Sequence, residues 1–245
     1  MKMLSAVADA TLAIFVAPVC VVCAEPLEHP VSGAVCNACW AAIPSLTEPL
    51  CEICGDALPS WRVLDGAAAR CTRCRRLRRV ISLGRSVGPY EGTLRDMLHA
   101  LKYGRRRSVA RPLGALMAAR GTSVLQGADF LVPVPLHFSR HYRRSFNQAT
   151  ELARHIGVPV VDALRRRRAT VAQTDLPEAQ RHRNVHDAFA LRRRARARVP
   201  GAVIVVIDDV STTGATLDAC ASVLVAAGAR EVRALTAARA ASRLR

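Results

Sequence analysis

The sequence predicts an α/β protein: a parallel sheet flanked by helices, preceded by a small metal-bound module. Three observations carry the prediction. Four Cys-x2-Cys pairs crowd into residues 20–74. From about residue 80, short aliphatic runs alternate with segments of helical period. One of those runs, VIVVIDDVSTTGATL over 203–217, ends in two adjacent aspartates and then a hydroxyl-rich turn with a glycine. Domain boundaries follow from the change of pattern. Residues 1–80 hold an N-terminal helix and the cysteine pairs, and residues 81–245 hold the sheet.

The cysteine module comes first in the chain. Eight of nine cysteines form the pairs Cys20–Cys23, Cys36–Cys39, Cys51–Cys54 and Cys71–Cys74, with 12, 11 and 16 residues between successive pairs. A Cys-x2-Cys knuckle turns two thiolates toward one point, and two knuckles complete a tetrahedral zinc site. CVVCAEPL, CEICGDAL and CTRCRRL have the form of ribbon knuckles. Gly55 follows Cys54 where a knuckle often needs a left-handed residue. Disulfides are the rival, but four repeated spacings without a secretory context suit Zn²⁺ better. The simplest pairing is sequential, joining Cys20, Cys23, Cys36 and Cys39 in one site and Cys51, Cys54, Cys71 and Cys74 in the other; the spacing also leaves an interleaved pairing open. The segment has too little apolar sequence for a core, so metal is expected to supply its folding energy. Cys220, in an alanine-rich helical segment, is read as a core filler.

Composition narrows the partners. With 36 basic and 19 acidic residues the formal charge is +17, and the only lysines are Lys2 and Lys102. Such a surplus favours polyanions: nucleic acid, phosphorylated small molecules or an anionic membrane. Two four-thiolate zinc sites would lower it to about +13. Aromatics at 4% argue against a stacking platform for single strands, though not against binding through phosphates. The arginine-dense RCTRCRRLRRV at 70–80 and the Arg192–Arg198 run, read as an exposed loop, are the segments that would face an anionic partner. No stretch of 18 apolar residues exists, so no membrane span is expected. The N-terminal MKMLSAVADATLAIFVAPVC is interrupted by Asp9 and lacks a convincing cleavage site. It is read as an amphipathic helix, and the location as cytoplasmic.

The sheet region reads element by element. ISLGRSVGPY is an entry strand. TLRDMLHALKY is a helix by the spacing of Leu94, Met97, Leu98 and Leu101. PLGALMAAR continues helical. DFLVPVPL is a strand ending in a proline-rich turn. NQATELARHIG is a helix stopped by Gly157, and VPVVDAL a further strand. AVIVVID is a fully buried strand, ATLDACASVLVAAG a helix ended by Gly228, and EVRALTAARA the closing strand. This alternation implies a parallel sheet covered on both faces.

The 203–217 stretch then acquires a chemistry. Asp208 and Asp209 fall at the carboxyl end of a central strand, where open α/β sheets bind ligands. Ser211, Thr212, Thr213, Gly214, Ala215 and Thr216 open a helix, presenting backbone N–H groups, hydroxyls and the helix dipole to one point, as a phosphate cradle does. The aspartates beside it accept only, which suits sugar hydroxyls or a divalent ion. The pattern describes a ribose 5-phosphate. An ordinary capped helix after a buried strand is the bland alternative; it leaves two adjacent buried carboxylates without a purpose. No G-x-x-x-x-G-K-[ST] occurs, which excludes a P-loop nucleotidase.

This stretch resembles the signature of type I phosphoribosyltransferases. The wider order, from the Cys pairs through HALKYGRR, LVPVPLHFSRHYRRSFNQATELAR and LRRRRATVAQTDLPEAQRHRNVHDAF to the signature, is similar to the ComF (competence protein F) family with its double zinc ribbon. Ser145 stands where that family usually has glycine in R-x-x-R-G-F-N-Q. Its Q-x-x-L-x-x-x-x-R-x-x-N is intact as Gln173, Leu176, Arg181 and Asn184. The resemblance implies 5-phosphoribosyl 1-diphosphate (PRPP) with Mg²⁺ as ligand. Ser211 to Thr216 would hold the 5-phosphate and Asp208 and Asp209 the ribose hydroxyls. Pro135, Leu136, His137 and Arg140 would form the pyrophosphate loop, assisted by Arg143 and Arg144. Arg165 to Phe189 would form a hood over the ligand. Asn147 and Gln148 are read as helix-capping residues. The family's link to transformation implies a PRPP-binding protein of DNA uptake that contacts single-stranded DNA and other uptake proteins. The alternative is an active phosphoribosyltransferase with an unknown acceptor.

Overall fold

In the computed structural model, residues 18–31, 33–58, 69–103, 106–136, 146–167 and 188–240 are described. The N-terminal segment read as an amphipathic helix lies almost wholly outside them. In the metal module the only helices among these residues are α1 (Asn37–Ala41) and α2 (Thr72–Arg76). Each begins just after the first cysteine of a pair, so one turn of helix carries the second cysteine inward: Cys39 and Cys74 are buried.

The sheet comprises β1 (Gly84–Pro89), β2 (Phe130–Pro133), β5 (Val203–Ser211) and β6 (Glu231–Arg239), in the order β1-β6-β5-β2 and parallel throughout. Between β2 and β5 in the chain, β3 (Leu164–Arg166) and β4 (Phe189–Leu191) form a separate antiparallel pair. The helices are α3 (Gly92–Lys102), α4 (Ala110–Arg120), α5 (Thr122–Leu125), α6 (Gln148–Ala153) and α7 (Ala215–Ala226).

Alternation along the strands separates two cores. Leu131, Val205, Ile207, Leu235 and Ala237 face α3, α4 and α6, where Leu94, Met97, Leu98, Leu101, Leu113, Met117 and Leu152 pack against them. Phe130, Val132, Ile204, Val206, Val232 and Ala234 face α7 and the β3–β4 pair. Because both sides of β5 are buried, its sequence runs continuously aliphatic rather than alternating. Cys220 is fully buried in α7, as a core filler should be.

Three expectations need correction. The VPVVDAL segment makes a single parallel bridge, Val160 to Leu131, rather than a strand. The Leu131 and Val161 N–H groups donate on either side of that bridge, but Pro159 and Pro133 have no N–H to extend the ladder. α6 ends at Ala153, four residues before Gly157, and turns through Arg154 and His155. β5 does not stop at Ile207: it runs on through both aspartates to Ser211, paired with β6 to Arg239.

Helices α6 and α7, which follow the neighbouring strands β2 and β5, lie on opposite faces. The connections after β2 and β5 therefore leave the carboxyl edge toward opposite faces, the arrangement at which open α/β sheets bind ligands.

Candidate functional site

The eight paired cysteines fall into two groups, Cys20, Cys23, Cys36 and Cys39, and Cys51, Cys54, Cys71 and Cys74. The sequential pairing is thus the one the fold adopts. Within each group the sulfur atoms all lie within 4.8 Å of one another. Cys23 and Cys36 Sγ are 3.7 Å apart, and Cys54 and Cys71 Sγ 3.6 Å. A tetrahedron with Zn–S bonds of about 2.3 Å has edges of about 3.8 Å, so the donor sets fit zinc by both chemistry and spacing. The knuckles turn as anticipated at Gly55, whose φ is +70°; Ala24 takes the same left-handed conformation in the first ribbon, with φ +62°. Gly55 has a second reason to lack a Cβ, which would lie 2.7 Å from the Gly84 carbonyl oxygen on β1.

At the carboxyl edge of the sheet the acidic pair has split roles. Asp209 forms an ion pair with Lys102 at the end of α3, Oδ2 to Nζ 2.9 Å. Asp208 Oδ1 accepts the Asp209 N–H at 2.9 Å. Burial, and then the charge of Asp209, push the Asp208 carboxyl up to about 8, against the opposing pull of the Asp209 N–H, Lys102 and Arg166. Burial works against the Lys102 charge, but the Asp209 carboxylate outweighs it and holds the ammonium above its ordinary pKa. Lys102 also lies 5.7 Å from the Tyr90 ring centroid. Sequence reasoning gave Lys102 no role. The signal that could have found it is its rarity: a single lysine in a region that otherwise uses arginine.

The turn from Thr212 to Gly214 connects β5 to α7. Gly214 is the N-cap residue, with φ +79°. The Thr213 hydroxyl accepts the Ala215 N–H at 3.3 Å, and the Thr212 hydroxyl is buried without a hydrogen-bond partner among the described residues. An orphaned buried hydroxyl at a helix start suits a bound anion. Next to it, the turn after β2 carries Pro135 and Leu136. It is held by the Val134 N–H donating to Ile207 O at 2.9 Å and by Asn147 Nδ2 donating to Val134 O at 2.9 Å. Asn147 also caps α6 by accepting the Ala149 N–H, and Gln148 is buried, its Nε2 3.4 Å from Phe146 O. Asn147 is therefore a cap, and Gln148 is the first residue of the helix.

Ser211, Thr212, Thr213, Gly214, Ala215 and Thr216 are thus brought together with Asp208 and Asp209 and set beside Pro135 and Leu136. His137, Arg140, Arg143 and Arg144 lie outside the described residues, as do Gln173, Leu176, Arg181 and Asn184. Of the expected hood only the base is described, where β3 and β4 pair and Arg166 lies over the Phe189 ring. Arg193, Arg194, Arg196 and Arg198 are exposed, as expected of the 192–198 loop, but several arginines of the two runs have partners. Arg192 and Arg194 pair with Asp162, Arg198 lies over Phe130, and Ala195 is buried within a turn of 3₁₀ helix. Arg79 is buried and Arg73 pairs with Asp56. A guanidinium next to a carboxylate or ring is satisfied there, and a sequence run does not reveal such partners. Arg79, Arg239, Asp56 and Asp218, all in ion pairs around the turn, were missed for the same reason.

Comparison with known proteins agrees with this geometry. The model of the phosphoribosyl transferase domain matches residues 142–245, and that of the double zinc ribbon domain matches 11–75. β1 and β2 precede the first match and complete its sheet. DNA utilization protein YhgH of Escherichia coli K12 is 33% identical over 87% of this chain and 93% of its own length. Competence protein F of Haemophilus influenzae is 27% identical over 90% of this chain and 96% of its own. Among solved structures, the allosteric regulatory enzyme of purine biosynthesis aligns with a TM-score of 0.37 at 23% identity, over 56% of this chain and 29% of that one; nothing rests on that likeness. Fold and site define a type I phosphoribosyltransferase domain carrying an N-terminal double zinc ribbon. Within that class, the chain belongs to the family of competence protein F and the DNA utilization protein YhgH, the ComF family. Among the described residues no helix is long and apolar enough to cross a membrane.

Proposed function

We propose that this protein binds PRPP at the carboxyl edge of its sheet and acts in DNA uptake, contacting single-stranded DNA. The observation that carries the reading is the acidic pair set directly before a phosphate-type turn, at the carboxyl edge where the helices after β2 and β5 pass to opposite faces. Asp208 and Asp209 would take the ribose hydroxyls, and Ser211 to Thr216 the 5-phosphate. Pro135 and Leu136, with His137 and Arg140 beyond them, would face the diphosphate. Lys102 pairs with Asp209, while burial and then Asp209 push the Asp208 carboxyl up to about 8, so a cationic or donor-rich ligand would favour loss of its proton. The described residues offer two carboxylates here and no all-oxygen cage. That suits Mg²⁺ arriving with a diphosphate and keeping its waters; bound there, the ion would neutralise the leaving diphosphate. The names of the relatives support the DNA role, as does a charge of +17. Other uptake proteins are the expected partners. We place the boundary between the two modules near residue 80.

A second reading, an active phosphoribosyltransferase with an unidentified acceptor, is favoured by the intact acidic pair and its lysine. Calorimetric titration of PRPP with Mg²⁺ into the wild type and Asp208→Ala/Asp209→Ala tests the site: binding is expected in the first and lost in the second. Single-stranded DNA affinity measured from 50 to 200 mM salt should fall steeply if phosphates are neutralised by arginines. A flat or absent response removes the DNA contact. Pyrophosphate release on adding a nucleobase, abolished by Asp209→Ala, would establish turnover.

A further inference from the structure

The phosphate turn is tied to the second zinc ribbon by two buried arginines. Arg239, at the end of β6, stands opposite Ser211 in the ladder and is 4% exposed. Its Nη1 donates to Ser211 Oγ at 3.0 Å, and its Nε donates to Asp56 Oδ1 at 2.5 Å. Asp56 lies two residues after the ligand Cys54. Its other oxygen is 3.5 Å from Nη1 of Arg73, which sits between the ligands Cys71 and Cys74. The same residue's backbone carbonyl accepts the N–H of Cys51 at 2.7 Å. Asp56 thus bonds the ribbon on one side and, through Arg239, the first residue of the turn on the other.

Arg79 makes the second tie, five residues after Cys74. Its side chain is 1% exposed, with Nε 2.8 Å from Asp218 Oδ2 in the first turn of α7 and Nη1 donating to Thr213 O at 2.8 Å. The other Asp218 oxygen accepts the N–H groups of Val80 and Ile81 at 3.2 and 3.4 Å. A Cβ on Gly214 would sit 2.0 Å from Arg79 Nη2, so the arginine lies directly against the left-handed residue of the turn. The chain leaving the ribbon therefore passes along the turn and is bonded to it.

We infer that Asp56, Arg239 and Arg79 are positioning residues for the 211–216 turn, and that they couple occupancy of the second zinc site to binding of a ribose phosphate at that turn. The physical reason is preorganisation. A loop already fixed at its Ser211 hydroxyl and its Thr213 carbonyl loses less freedom when the ligand arrives. Asp56 can hold Arg239 in place only while the knuckle that carries it is folded, and that knuckle needs its metal. Coupling of this kind is reciprocal, so ligand at the turn must in return slow loss of the metal. The ligand half of the inference rests on the PRPP reading; the mechanical half does not.

Asp56→Asn tests it, since the variant keeps all eight thiolates and the shape of the side chain. The variant is expected to retain two zinc ions per chain and to fold, with a lower melting temperature because the buried Arg239 loses its countercharge. Its PRPP affinity should fall about tenfold, the scale of losing one charge-assisted hydrogen bond. Backbone amides of 211–216 should exchange with deuterium faster in the ligand-free variant than in the ligand-free wild type. In the wild type, saturating PRPP should slow release of one of the two zinc ions to a chromogenic chelator. Unchanged exchange together with unchanged affinity in the zinc-loaded variant would overturn the inference. If Asp56→Asn fails to hold zinc, Arg79→Lys serves instead. It lies outside the ribbon, and a single ammonium cannot span Thr213 O and Asp218 as the guanidinium does; the same faster exchange and weaker binding are expected. If the wild type binds no PRPP, the ligand reading falls alone, and the exchange comparison still decides whether these residues hold the turn.

Discussion

Asp208 sits in an environment that disfavours its own charge. Burial and the neighbouring Asp209 raise its carboxyl from an ordinary 3.8 to about 8 in the folded chain. The folded state then binds more protons than the unfolded state between those values. This group's contribution to stability is complete below about pH 3.8 and is lost progressively as pH rises to about 8. Asp208→Asn carries no such loss. The melting-temperature advantage of Asp208→Asn over the ligand-free wild type should therefore widen from pH 4 to pH 8 and stay level above it. A constant gap across thermal melts over that range would show that Asp208 titrates normally. An acidic pair that destabilises its own fold is the kind of feature retained for a ligand. The doublet was visible in the sequence. The ion pair between Lys102 and Asp209 was not, because α3 reaches the end of β5 only in the folded sheet.

At the scale of elements, the turn from Thr212 to Gly214 depends on its glycine twice. The residue has φ +79°, and Arg79 occupies the space a side chain would need. Gly214→Ala should cost on the order of 1–3 kcal/mol of stability from the left-handed backbone and the displaced arginine, measured by urea denaturation. A change within about 0.5 kcal/mol, as for an ordinary surface substitution, would mean that the turn relaxes freely. The helix that follows was legible because its aliphatic and alanine pattern is unbroken and Gly228 closes it. The length of β5 was not legible: two aspartates suggested a strand end, yet β6 keeps hydrogen-bonding past them to Arg239. Ladder pairing is a property of the neighbour as much as of the strand itself. The same logic ran the other way at VPVVDAL, where a β-branched segment pairs at one position only, because its own Pro159 and its partner's Pro133 stop the ladder.

At the scale of the whole molecule, the two zinc ribbons are joined to the sheet in different ways. The first shares an apolar core with it: Cys20, Leu27, Val35, Cys39 and Ile43 cluster with Val87, Leu94 and the α3 and α4 side chains. Arg120 of α4 reinforces that contact by donating to the carbonyls of Ile43, Pro44 and Val87. The second joins through backbone and charge, with the Gly84 N–H on Ile53 O at 2.5 Å and Asp56 on Arg239. Stripping both metals should unfold residues 20–74 while the parallel sheet persists at a lower melting temperature, since its covered face loses part of its apolar partner. Circular dichroism before and after a strong chelator checks this. A chain whose spectrum and melting temperature are unaltered would contradict the zinc assignment, and one that unfolds completely would show the sheet unable to stand without its ribbons.

The sequence alone determined the parts whose signals are local. Four Cys-x2-Cys spacings imply thiolate metal sites, and an unbroken aliphatic run implies a strand buried on both faces; the acidic pair before a hydroxyl-rich turn was equally legible, and the cradle proposed for it rests on those same residues. Each rests on residues within a few positions of one another, where chemistry follows from spacing. Tertiary structure alone decided which cysteines share a site, where β5 ends, and which of many similar arginines find a carboxylate partner. Arg79, Arg192 and Arg239 are indistinguishable from their neighbours as letters. Their roles come from Asp218, Asp162 and Asp56, and for Arg79 and Arg239 that partner lies well over a hundred residues away in the chain. The energy of a charge is set by what surrounds it, and only the fold brings those surroundings together.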